Sequence, residues 1–182
     1  NENRVVYQAA PGSRVVIKGS ERIVGWEKVD NSTWKVSLPN TFFGSFNPYR
    51  DKIHGDWFNG KGRDHHTGAV YLNDHWLTEA AQLDEVLKPT DETPLWFGSV
   101  DESTTTLWAQ FADVDPNQAG VEINVRQSVF YPADEGVNYV TVRGFVMMHA
   151  ATPWAPPTAE QIGLIGTNWS KGWIIENNDI RY

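Results

Sequence analysis

The sequence contains no cysteine. Disulfides and thiolate metal sites are therefore excluded, while the compartment, cytoplasmic or exported, stays open. It contains no basic run either: 15 Lys and Arg stand against 23 Asp and Glu, for a formal net charge of -8. A nucleic-acid partner needs clustered cations to release counterions, so that class is excluded. No apolar stretch approaches the roughly 20 residues of a membrane span, and no signal-peptide pattern is visible. The serine-hydrolase elbow, the zinc-protease helix, the P-loop and the dinucleotide fingerprint are all missing. No cofactor is implied.

What is present is an ordinary globular composition. Hydrophobic residues make up 40% and charged residues 21% of 182 residues, enough for one good-sized domain or two small ones. Aromatic residues reach 13%, with nine Trp. Most of these are expected in a core. The remainder suits sugar binding, since an indole face stacks on the apolar face of a pyranose.

Short β-branched runs flank a Pro-Gly turn in Arg4–Gly19, which reads as strand, turn, strand. A two-strand piece cannot bury a core alone and must stack on something. Between 21 and 131 the chain alternates like an antiparallel sandwich, with strands expected at Ile23–Trp26, Thr33–Leu38, Gly68–Leu72, Leu107–Phe111 and Val121–Val125. Val121, Ile123 and Val125 face one way, and Glu122, Asn124 and Arg126 the other. The spacing of Leu77, Ala80, Leu83 and Val86 predicts a helix over Thr78–Leu87, stopped by Pro89.

The last segment repeats the opening shape. Val137–Phe145 and Gly172–Ile180 are both strand-turn-strand units, and Val142 aligns with Ile175 at an offset of 33 residues. A plain β-helix coil takes about 20 to 25 residues, so the excess implies a loop excursion, placed at 151–169. Asn177 and Asn178 fall at the corner, where Asn tolerates left-handed backbone and its amide can bridge coils. The expected fold is all-β: a partial right-handed parallel β-helix in 1–20 and 132–182, interrupted by a sandwich-like module in 21–131. Solenoids need terminal caps. The abrupt ends lead us to expect a fragment, completed by further coils, a complementary chain or self-association.

Three stretches carry a family resemblance. Tyr7–Ser20 resembles the early coil of many β-helix carbohydrate enzymes, and His66–Asn73 resembles their inserted sandwich. Pro156–Asn178 resembles a catalytic-face coil of the bacterial β-helix β-xylosidases of glycoside hydrolase family 120. The resemblance implies retaining hydrolysis of β-xylosides, hence a xylose-containing glycoside as partner. It also implies two carboxylates about 5–5.5 Å apart. In the family that pair lies on later coils, so this chain alone is expected to lack it.

Glu160 is the carboxylate to single out. At the mouth of the solenoid it would hold sugar hydroxyls or tune a neighbouring catalytic acid, although Thr158–Gln161 also matches a helix-capping box. Trp154 and Trp169 are candidate stacking platforms, or packing for a long loop. Asp64 and His66 lie in a polar loop that could reach over a sugar cleft. Adjacent side chains such as His65 and His66 point apart on a strand, which makes them poor co-ligands for one metal. Asp51, Asp56 and Asp64 form no calcium-loop motif. Glu176 and Asp179 would point opposite ways, so they are not proposed as an acid/base pair. Two other functions compete: a non-enzymatic carbohydrate-binding module, which needs only Trp platforms and polar groups, and a polysaccharide lyase fragment. A lyase would want calcium carboxylates and an Arg or Lys base, and no such cluster stands out.

Overall fold

A computed structural model describes residues 3–30, 32–88, 93–152 and 162–182. Along the chain run β1 (Val5–Gln8), β2 (Val15–Lys18), β3 (Ser20–Arg22), β4 (Glu27–Lys28) and β5 (Thr33–Pro39), then a single 3-10 turn at Asn40–Phe43. After a long loop come β6 (Val70–Leu72), β7 (His75–Trp76), β8 (Thr78–Glu79), the short helix α1 (Leu83–Leu87), β9 (Leu95–Val100), β10 (Thr104–Gln110) and β11 (Val121–Asn124). The chain closes with β12 (Val140–Arg143), β13 (Phe145–Met148), β14 (Ile174–Glu176) and β15 (Asp179–Arg181).

The ends of the chain form three stacked strand-corner-strand units. β1, β12 and β14 make one parallel sheet; β2, β13 and β15 make another. Val142 lies opposite Ile175, the register expected from the 33-residue offset. Corner chemistry fixes it. Gly144 has φ 78° and Asn177, at the matching position one unit on, has φ 53°, the left-handed region that Gly and Asn tolerate best. The Asn178 amide then bridges the units. Its Nδ2 donates to Val142 O (2.9 Å), and its Oδ1 accepts from Phe145 N (3.0 Å). A third side is started by the parallel bridge of Phe130 with Ile165. Val140, Val142, Phe145 and Met147 are buried among these strands. On the outer face, Arg143 bonds Gln8 in the unit before and Glu176 in the unit after.

Between β2 and β12 sits a two-sheet module. One sheet has the order β4-β5-β10-β9-β8, the other β3-β11-β6-β7. Val36, Trp96, Leu107 and Ala109 from the first meet Val70, Val121 and Ile123 from the second in one core, as alternating strands require.

Three local expectations fail for tertiary reasons. Thr78 and Glu79 are not helical: they pair in parallel with Leu95 and Trp96, leaving only Leu83–Leu87 as helix. Ile23–Trp26 is not a strand. Gly25 has φ 88°, and the Asn117 side chain captures the amides of Gly25 and Trp26. Among the described Trp residues only Trp26 and Trp96 are buried; Trp57, Trp76 and Trp169 are exposed.

Candidate functional site

A cleft of about 630 Å³ lies where the sandwich meets the stacked units, with His66, Tyr71, Trp76, Glu79, Arg181 and Tyr182 on its walls. Each wall has a local cause. Asn73 and Asp74 both adopt positive φ (50° and 69°) between paired β6 and β7. This is the geometry of a two-residue hairpin whose twist suits the strands. The turn brings the 60%-exposed Trp76 back against Tyr182, ring centroids 5.5 Å apart. Buried Leu77 anchors the next step, and Glu79 follows on β8.

The opposite wall is the loop from 47 to 68. It is closed at its base by Ile53 N donating to His65 O (2.7 Å) and Thr67 N donating to Asp51 O (3.1 Å). Gly68 is obligatory there, since a Cβ would lie 2.5 Å from the ring of Tyr49. Tyr49 is itself buried, with its hydroxyl donating to Ala69 O (2.8 Å). The closed loop sets His66 against Glu79. His66 Nδ1 donates to Glu79 Oε1 (2.6 Å), and the His66 amide donates to Oε2 (3.2 Å). Arg63 donates to the Glu79 carbonyl (2.9 Å) and lies 3.4 Å from its carboxylate.

Of the residues singled out from sequence, His66 lines the main cleft. His66 and Asp64 together line an adjoining cavity of about 350 Å³, with Glu79 between the two spaces. Asp64 pairs with Lys52 at 2.6 Å, and that hydrogen bond holds its carboxyl below the usual range. Trp169 is 74% exposed on a turn and lines neither space. Glu160 and Trp154 lie outside the described residues. Glu176 bonds Arg143 and Asp179 bonds Arg181, so each has its own cation. The sequence reading missed Glu79 and Trp76, which it had placed in or beside a helix. The available signal was Asn73-Asp74 between Tyr71-Leu72 and His75-Trp76, a hairpin pattern with φ-tolerant residues at the turn.

Behind the cleft a second polar cluster fastens module to stack. Lys18 of β2 bonds Asp74 and both oxygens of Glu122 (2.9 and 3.0 Å). Ser20 Oγ donates to Glu122 Oε2 (2.8 Å), and the fully buried His149 reaches the same oxygen through Nδ1 (3.0 Å). The His149 ring stacks on Tyr71 at 3.7 Å and 14°. Burial opposes the charge of Glu122, but bonds from His149, Lys18 and Ser20 outweigh it and hold its carboxyl down at about 2. Burial pushes the Tyr71 hydroxyl up, with the Glu122 charge adding to it. Asp74, Glu122 and His149 offer ligand atoms within 4.8 Å of one another. The Lys18 ammonium already satisfies both carboxylates, which makes the cluster an ion-pair network.

Residues 23–123 match the family model described as the glycoside hydrolase 120 insertion domain. Among solved structures, XylC in complex with xylose is similar at 47% identity and a TM-score of 0.91. The match covers 97% of this chain and 31% of XylC, so the chain spans about a third of that protein. A comparison with curated proteins finds no match. The matched insertion domain covers just over half of the sequence, and its residues form most of the two-sheet module that walls the cleft: the chain belongs to glycoside hydrolase family 120.

Proposed function

We propose that this chain is part of a retaining β-xylosidase, supplying fold and one wall of its sugar cleft. The observation that carries the reading is the position of the cleft at the seam between the family's insertion domain and the stacked units. The 47% identity with XylC, a protein solved with xylose, supports the same sugar here. In this reading 1–20 and 132–182 are coils of a right-handed parallel β-helix and 21–131 is its insertion. The parallel pairing of three successive units and the bridge on a third side support that arrangement.

Glu79 is the single carboxylate lining the cleft among the described residues, whereas retaining hydrolysis needs two. In this reading the catalytic pair sits elsewhere on the β-helix, as the family resemblance implies, and Glu79 is not one of its members. His66 is assigned to the sugar-facing wall and Asp64 to the cavity that adjoins it, and Glu160, Trp154 and the exposed Trp169 remain proposed contacts. Ile174, Ile175 and Ile180 are exposed on the edge strands, where a further coil, a complementary chain or a second copy would pack. Titration of the chain with xylose, followed by amide chemical shifts, tests the reading. Shifts clustered at 64–79 and 180–182, with no turnover of an aryl β-xyloside, are expected. Shifts absent from the cleft, or clear turnover by this chain, would overturn it.

A further inference from the structure

The Glu79–His66 pair carries more than a place on a wall. A carboxylate can only accept hydrogen bonds. With Glu79 Oε1 at 2.6 Å from His66 Nδ1 and Oε2 at 3.2 Å from the His66 amide, the shared proton belongs on Nδ1. In the neutral ring the other nitrogen, Nε2, is then a lone-pair acceptor. No group among the described residues bonds Nε2, and the ring lines the cleft. The carboxylate is held on its other side by Arg63, and the loop that carries His66 is closed by backbone bonds at 53–65 and 51–67. The imidazole is thus fixed in orientation and in tautomer before any ligand arrives. A preset acceptor of this kind suits a hydroxyl donor, and it costs little ordering on binding.

We infer that Glu79 is a positioning residue which locks His66 so that Nε2 accepts a hydrogen bond from a hydroxyl of the sugar. The assignment rests on the cleft reading above and adds the group that reads the hydroxyl. Trp76 and Tyr182 line the same cleft, and their rings are the apolar partners that a pyranose face would use.

The experiment is nitrogen-15 imidazole spectroscopy on the full 182-residue chain, free and titrated with xylose. Without sugar, His66 should show the Nδ1–H tautomer. Glu79→Ala should release it to the Nε2–H form that a free imidazole favours. With xylose, the Nε2 resonance should shift. Loss of one hydrogen bond should raise Kd about tenfold in His66→Phe and in Glu79→Ala. An Nε2–H tautomer in the unaltered chain overturns the inference whatever the sugar does. Xylose bound in the cleft with Nε2 unmoved and affinity unchanged in His66→Phe overturns it while leaving the cleft reading intact. A chain whose cleft xylose does not perturb sinks both.

Discussion

The Glu122 network predicts a pH-dependent loss of stability that one substitution should erase. The carboxylate accepts from Lys18, Ser20 and His149, and its pKa falls from 4.5 to about 2. At roughly 1.4 kcal/mol per pK unit the shift would be worth about 3 kcal/mol. The side chain keeps 19% of its exposure and that of Lys18 keeps 25%, so solvent screening trims the value to about 2 kcal/mol. The folded pKa lies below the unfolded one. This stabilisation is therefore complete above about pH 4.5, shrinks as pH falls, and is gone once pH passes through about 2. Glu122→Gln keeps shape and removes the charge. Urea unfolding followed by Trp fluorescence should show the variant about 2 kcal/mol less stable at pH 7, with the gap closing towards pH 2. Other lowered carboxylates, Asp64, Asp101 and Asp179, are unchanged in both proteins and cancel in the difference. A gap that stays constant from pH 7 to pH 2 would refute the argument, because it would assign the loss to packing rather than to charge.

Two further substitutions test the supports of the cleft and of the stack. Gly68→Ala places a methyl 2.5 Å from the ring of buried Tyr49; overpacking of this kind costs about 1–3 kcal/mol. The melting temperature should fall and the His66 resonances should shift, and an unchanged melting temperature would show that Tyr49 yields freely. Asn178→Ala removes the donor to Val142 O and the acceptor for Phe145 N, for a loss of about 2 kcal/mol. Hydrogen exchange at the Phe145 amide should accelerate; unchanged protection there would show that water replaces the side chain without cost.

How much of this was legible in the sequence depends on how local each signal is. The 33-residue offset gave the pairing of Val142 with Ile175 because register follows from side-chain parity and from the corner residues, and both are printed in adjacent positions. The apolar side of Val121, Ile123 and Val125 was equally plain, since period two needs no partner to be seen. The opposite side of the same strand was not. Asn124 reads as a solvated position, yet it is 1% exposed and clamps Ala69 N, Thr67 O and the Tyr49 hydroxyl. Glu122 reads the same way and instead meets Lys18 and His149. What decides both is that the outer face of the sheet is covered by other parts of the chain, and no window of sequence around 121–125 records that. The helix error has the same source. Leu77, Ala80, Leu83 and Val86 have helical spacing, but Thr78 and Glu79 gain ladder bonds from β9, 17 residues on, and a sheet partner outweighs a weak local preference. Glu79 thereby leaves a helix surface and enters the cleft wall beside His66. The residues a fold brings together from separations of 13 positions, as in His66 and Glu79, to 131, as in Lys18 and His149 (104 from Lys18 to Glu122, 27 more to His149), are the ones that carry the polar chemistry here, and they become visible only once the sheets are paired.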